Sequence, residues 1–219
     1  MSVKENFESI LERVRKAANR SGRREEEISL IAVTKHSSLE QMREVLSLSL
    51  KDFGESRLQK ALVKQKVFPE KIDWHFIGPI QSNKAISIAS HFSYIHSVSS
   101  FKIAQLLSEF GEKRGEKVKI FFQIDLSKEG VRNGFNPSEF LSHQETLLAL
   151  RGLSIQGLMT MAPHTEDKGL IRACFRSLFE LKRSLVSTCP FLSMGMSKDF
   201  EIAIEEGATH IRIGSELFL

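Results

Sequence analysis

The feature that most constrains this chain is an alternation of two patterns. Short, β-branched, apolar runs take turns with segments whose apolar residues recur every three or four positions. The first run, Ile28 to Lys35, is almost wholly apolar, as suits a parallel strand covered on both faces. Further strands are expected at Asp52–Glu55, Trp74–Gly78, Tyr94–Val98, Val118–Asp125, Leu153–Thr160, Phe191–Gly195 and His210–Gly214. Helical patterns separate them over 39–48, 56–67, Gln81–Ser90, Phe101–Arg114, Pro137–Ala149, Leu170–Val186 and Asp199–Glu206. One more, marked by Phe7, Ile10, Leu11, Val14 and Ala17 and stopped by Ser21-Gly22, precedes the first strand. Eight β/α units imply a parallel sheet, and eight strands close a barrel; an open doubly wound sheet is the alternative. The expected fold is α/β, a single (β/α)8 TIM-type barrel with an extra N-terminal helix.

A length of 219 residues leaves no room for a second domain beside such a barrel, so residues 1–219 form one unit. The loops must be tight, and the polar stretch 126–136 is a loop rather than a boundary. Lys+Arg exceed Asp+Glu by only 31 − 27 = 4, and the charges are interspersed. No basic run with interleaved aromatics exists, which argues against nucleic acid and for a small anionic ligand. No stretch approaches the roughly 20 apolar residues of a membrane span, and Met1 to Glu8 has no signal-peptide core. Cys174 and Cys189 read as reduced thiols of a cytoplasmic protein, with no metal-site partners nearby.

In such a barrel the working face lies at the C-terminal ends of the strands. Lys35 closes the most apolar strand. A lysine in apolar surroundings loses solvation of its ammonium form, and the free amine adds to aldehydes as a Schiff base; the alternative is a lysine that snorkels out. Ser193 to Phe200 links a strand to a helix, with Ser197 at the N-cap position and Asp199 in the first turn. Arg212 alternates with Ile211 and Ile213, so it faces the lumen and needs a partner there. Gly214-Ser215 can bring backbone N–H groups close to a ligand. The loops after strands seven and eight are the usual phosphate site of these barrels, which joins Ser197 to Gly214 and Ser215. His75 and His96 read as satisfied core histidines, Asn83-Lys84 as rim residues, and Tyr94 as a residue of the opposite face. Met159 and Met161 read as packing residues at a strand end that could place one against a flat ring.

Together these stretches resemble the pyridoxal-phosphate (PLP) homeostasis proteins, the YggS/PROSC family. The matching residues are Ala32 to Lys35, Asp52 to Glu55, Trp74 to Lys84, Gly157 to Met161, Leu192 to Ser197 and Arg212 to Ser215, in family order over nearly the whole chain. The resemblance implies a barrel like the N-terminal domain of alanine racemase. It implies PLP as cofactor, held as a Schiff base on Lys35, with its phosphate at Ser197, Gly214 and Ser215 and with Arg212 near the pyridine nitrogen. It also implies a buffering and delivering role, with PLP-dependent apoenzymes as partners of a cytoplasmic monomer. One departure stands out: after Gly54-Glu55 the family continues with Asn and an aromatic residue, and here Ser56-Arg57 follows. Ser56 keeps a hydroxyl near the cofactor. The chain also ends a few residues past the last strand, which leaves a terminal helix short or missing.

Three functions are open at this point: a PLP-binding regulator without turnover, a PLP-dependent racemase-like enzyme, and an unrelated barrel acting on a sugar phosphate. A racemase needs a base on each face of its substrate, and Tyr94, the single tyrosine, sits on the wrong face. A sugar-phosphate enzyme needs a carboxylate or histidine pair at strand ends, and Glu55 and Asp125 form no evident pair. The first function is favoured, with no catalytic residue and no metal.

Overall fold

The computed structural model describes residues 2–68, 72–127, 133–185 and 189–219. Met1, Val186 and part of the loop 126–136 lie outside the described residues. Eight parallel strands close into a barrel in sequence order: β1 (Ser29–Val33), β2 (Asp52–Glu55), β3 (Asp73–Phe76), β4 (Tyr94–Val98), β5 (Val118–Gln123), β6 (Leu153–Met159), β7 (Phe191–Met196) and β8 (His210–Ile213). The barrel closes where Leu30 pairs with Ile211 and Ile31 with Arg212. The helices are α1 (Val3–Arg20), α2 (Leu39–Ser47), α3 (Leu58–Val67), α4 (Ala85–His91), α5 (Phe101–Arg114), α6 (Pro137–Ser142), α7 (Gln144–Leu148), α8 (Lys168–Arg183), α9 (Phe200–Glu205) and α10 (Ser215–Phe218). The expected barrel and its extra N-terminal helix are both present.

One expectation needs correction. The segment 137–149 is two short helices rather than one. His143 between them has φ −110° and ψ 4°, outside the helical well, and Ser142 Oγ donates to Glu139 O, competing with the backbone ladder. At the other end of the chain the terminal helix is short, as expected: the single turn α10.

Strand alternation sorts the side chains into two layers. Leu30, Ala32, Trp74, Phe76, Ile120, Phe122, Ile211 and Ile213 belong to the main apolar core between strands and helices. Their neighbours of opposite phase, Ile31, Val33, His75, Phe121 and Arg212, are buried outside that core, on the lumen side. A lumen of this kind is usually filled by branched apolar residues; here its middle is polar.

Helix α1 packs on α2, α9 and α10 around the β8–β1 junction. Arg13 fixes it there, with Nε donating to Glu201 at 2.8 Å and Nη1 to Glu216 at 2.7 Å, its guanidinium 4.5 Å from the Phe200 ring centre. One arginine thus anchors both short helices that follow β7 and β8. Both cysteines are buried, and burial pushes the Cys189 thiol up to about 11. Among the described residues no helix is long and apolar enough to cross a membrane, and no His/Cys/Asp/Glu cluster fits a metal.

Candidate functional site

A cavity of about 1420 Å³ opens at the C-terminal mouth of the barrel. Lys35, Ser56, Met161, Ser197, Arg212, Gly214 and Ser215 all line it. Residues that sequence reasoning did not single out line it too, among them His36, Gln123, His164 and Lys168. Their signal was only positional: Gln123 ends β5, His36 follows β1, His164 lies in the loop after β6, and Lys168 opens α8. Asn83, Lys84, Glu55 and Asp125 are not among the lining residues. Glu55 is buried behind β2, and Asp125 accepts from Ser127 N and Oγ. The carboxylate pair that a sugar-phosphate enzyme would need is therefore not formed by these two.

Lys35 sits in the turn two residues after β1 ends, and it is exposed on the cavity wall. The burial expected from the apolar strand stops at Thr34, because the strand ends before the lysine. Thr34 itself is clamped: its N–H donates to Gly54 O at 2.9 Å and its hydroxyl to Glu55 Oε1 at 2.9 Å. Lys64 Nζ reaches both Thr34 O and Glu55 Oε1. The base of the lysine is rigid while its amine is free to enter the cavity.

Across the mouth, two turns meet. The N-cap position of α9 is held by Asp199 and not by Ser197, a correction to the expected cap. The Asp199 carboxylate bonds backwards, accepting from Met196 N at 2.6 Å, and burial pushes its carboxyl up. Ser197 Oγ instead accepts from Glu216 N at 3.4 Å, which links the β7 turn to the β8 turn. Among the described residues, the amides of Ser197, Lys198, Gly214 and Ser215 have no acceptor. Helices of four and six residues carry little macrodipole, so what these turns offer to the cavity is their unpaired amides rather than a helix axis. A Cβ on Gly214 would lie 3.3 Å from both Cβ and O of Val33, so glycine lets this turn press against the end of β1, beside Lys35. Gly78 does similar work on the opposite wall. A Cβ there would come within 2.1 Å of Ser56 O, which fixes Ser56 against the β3 exit.

Arg212 forms part of the cavity floor and is 4% exposed. Its Nη1 donates to Ser193 Oγ at 2.7 Å and its Nη2 to Thr160 O at 3.0 Å, the partners that a lumen arginine requires. Burial lowers its guanidinium from the usual arginine range to about 10, against the pull of Asp199, so it remains a cation at neutral pH. Met159 is buried at the end of β6 and Met161 is half-buried above it, both on the cavity wall. Tyr94 lies at the start of β4, at the opposite end of the barrel, with its ring stacked on His75 at 4.6 Å.

Comparison with known proteins places this geometry in a family. The family model described as alanine racemase, N-terminal domain, matches residues 6–219. The pyridoxal phosphate homeostasis protein of Pseudomonas aeruginosa is 40% identical over 218 residues, 99% of this chain and 95% of that one. Its counterpart from Aquifex aeolicus is 35% identical over 223 residues, 100% of this chain and 98% of that one. The structure of PipY from Synechococcus elongatus with PLP bound has a TM-score of 0.84 and 34% identity, covering 96% of this chain and 100% of that one. Alanine racemase of Clostridium difficile, at 15% identity and a TM-score of 0.74, shares the fold over 99% of this chain and 56% of its own length. The lysine turn, the paired amide turns and the floor arginine sit on a barrel matched nearly end to end, and the chain belongs to the alanine racemase N-terminal domain family and, within it, to the pyridoxal phosphate homeostasis proteins.

Proposed function

We propose that residues 1–219 form one PLP-binding unit that buffers or delivers the cofactor. The observation behind this reading is that a lysine amine, a set of unpaired amides and a buried guanidinium share one cavity. PLP offers an aldehyde, a phosphate and a ring nitrogen, one for each. The relatives named for pyridoxal phosphate homeostasis and the PLP-bound PipY support the same ligand. In this reading the Lys35 amine adds to the aldehyde carbon with loss of water. Ser197, Gly214 and Ser215 donate to the phosphate, Arg212 donates to the ring nitrogen, and Met161 and Ser56 complete the wall. When bound, the cofactor supplies a reactive aldehyde and an electron-accepting ring. The protein acts as a cytoplasmic monomer that keeps the free aldehyde low and passes PLP to apoenzymes. Ser197→Ala is expected to weaken PLP binding roughly tenfold, the value of a hydrogen bond to a charged group. Its melting temperature should stay within about 3 °C of the parent's, since Ser197 is not the cap of α9 and its one hydrogen bond, from Glu216 N at 3.4 Å, is worth about 1 kcal/mol, a shift of that size here. Equal loss of binding and folding would reduce Ser197 to a structural residue.

Carriage without turnover follows from two features. Tyr94, the single tyrosine, is at the wrong mouth to serve as a second base. Arg212 stays charged, so it donates to a ring nitrogen without giving up its proton, and the ring remains a weak electron sink. The test is α-proton exchange of several amino acids in deuterated water with PLP-loaded protein. The expected result is no exchange at enzyme-like rates. Exchange at roughly 1 per second or faster, abolished by Lys35→Ala, would establish the racemase-like alternative.

A further inference from the structure

A row of polar side chains runs along the barrel lumen, below the cavity, and the carrier role leaves it unexplained. It starts at Arg212 Nη1, which donates to Ser193 Oγ at 2.7 Å. Ser193 Oγ lies 2.8 Å from His96 Nδ1, His96 Nε2 lies 2.8 Å from His75 Nδ1, and His75 Nε2 lies 2.9 Å from Asp52 Oδ1. Ser193, His96 and His75 are at most 1% exposed, whereas the Asp52 side chain is 36% exposed at the start of β2. The column therefore crosses the lumen from the cavity floor to the opposite mouth.

Hydrogen-bond accounting gives every proton in it one direction. Arg212 can only donate. Among the described residues Ser193 Oγ has no partners but Arg212 and His96, so its hydrogen goes to His96 Nδ1, which must be bare. His96 then carries its proton on Nε2 and donates to His75 Nδ1. His75 in turn carries its proton on Nε2 and donates to the Asp52 carboxylate. The reverse order would strand the Ser193 hydrogen and aim a bare nitrogen at an anion. Ring packing locks the planes: His96 stacks on Phe121 at 4.2 Å and His75 on Tyr94 at 4.6 Å, with Lys119 Nζ 4.8 Å from the Tyr94 ring centre. His210 is edge-on to His96 at 6.2 Å. Burial, with His75, His210 and Arg212 close by, holds His96 well below the usual imidazole range.

We propose that Ser193, His96, His75 and Asp52 are positioning residues for Arg212, a one-way hydrogen-bond column that fixes the guanidinium before any ligand arrives. With its own hydrogen committed downward, Ser193 always turns a lone pair to Arg212. Thr160 O takes the second arm. The guanidinium plane is then set, and its remaining N–H groups are left for the cavity, so binding costs no reorganisation. A fully satisfied buried network of this kind also excludes water from the floor. The link from column to ligand rests on the reading that Arg212 faces PLP; the column itself does not.

The test separates the two. In ligand-free protein, nitrogen-15 spectra of the histidine rings should show His75 and His96 as neutral Nε2–H tautomers, and the Arg212 Nε–H should exchange slowly. His96→Phe keeps the stack on Phe121 but cuts the column. His96→Gln keeps an acceptor for Ser193 and a donor for His75. The Phe variant should speed Arg212 N–H exchange at least tenfold and raise the PLP Kd roughly tenfold, as for one hydrogen bond to a charged group. The Gln variant should restore both to within about twofold, by the same hydrogen-bond reasoning. An Nδ1–H tautomer or an imidazolium at either ring overturns the proposal. So does a Phe variant whose Arg212 exchange matches the parent's, or a Gln variant no better than Phe, which is the result a packing role predicts. If the parent protein fails to bind PLP, the cofactor reading falls, and the ligand-free spectra still decide the column.

Discussion

Lys35→Ala will abolish covalent retention of PLP while leaving the barrel folded. Lys35 is exposed and lies past the end of β1, so its removal creates no cavity and breaks no core contact. Surface substitutions of this kind usually change stability by no more than about 0.5 kcal/mol. The amide turns and Arg212 remain, so PLP should still bind reversibly through its phosphate and ring. The measurement is visible absorbance before and after gel filtration of PLP-loaded protein. The parent should keep its cofactor band, and the variant should lose it on the column. A variant that retains the band after filtration would remove Lys35 from the account.

Lys64→Met will destabilise the protein more than Lys35→Ala or Ser197→Ala at the cavity wall. Its ammonium is the cationic partner of Glu55, whose side chain is 0% exposed, whose Oε1 takes the lysine and the Thr34 hydroxyl, and whose Oε2 has no hydrogen-bond partner among the described residues. Taking one member from a buried pair leaves an uncompensated charge and costs about 3–5 kcal/mol. For a chain of this size that lowers the melting temperature by roughly 10 °C. The same lysine also clamps Thr34 O, so the turn carrying Lys35 should loosen with it. Replacing both members, as Glu55→Leu with Lys64→Met, removes the stranded charge and should recover most of the loss. The check is calorimetric melting of both variants. A single variant that melts within about 2 °C of the parent, under 1 kcal/mol for this size, would show that water reaches Glu55.

Much of this was legible in the sequence because alternation is a short-range signal. β2, β4 and α5 have the expected bounds, since each is flanked by residues that stop it locally. Arg212 was readable for the same reason: two isoleucines around it fix its side of the strand. What was not legible depended on partners distant in the chain. Ser197 follows a strand in a capping context, yet its hydroxyl is taken up by Glu216 on the neighbouring turn, and Asp199 occupies the cap position. Lys35 looked buried because an apolar strand precedes it, and only the barrel shows that the strand ends two residues earlier. His75 and His96 were read one at a time as core histidines. Their alignment with Asp52, Ser193 and Arg212 spans five strands, β2, β3, β4, β7 and β8, and no local pattern encodes it.

The Lys35 amine is proposed to face a cofactor aldehyde across the cavity from the paired turns. Borohydride reduction of the PLP-loaded protein, followed by peptide mapping, decides this. Reduction makes any lysine–aldehyde bond permanent and marks the residue that formed it. A single pyridoxyl group, on Lys35, is the expected result. A pyridoxyl group on Lys198 or Lys84 instead, with Lys35 unmodified, would contradict it.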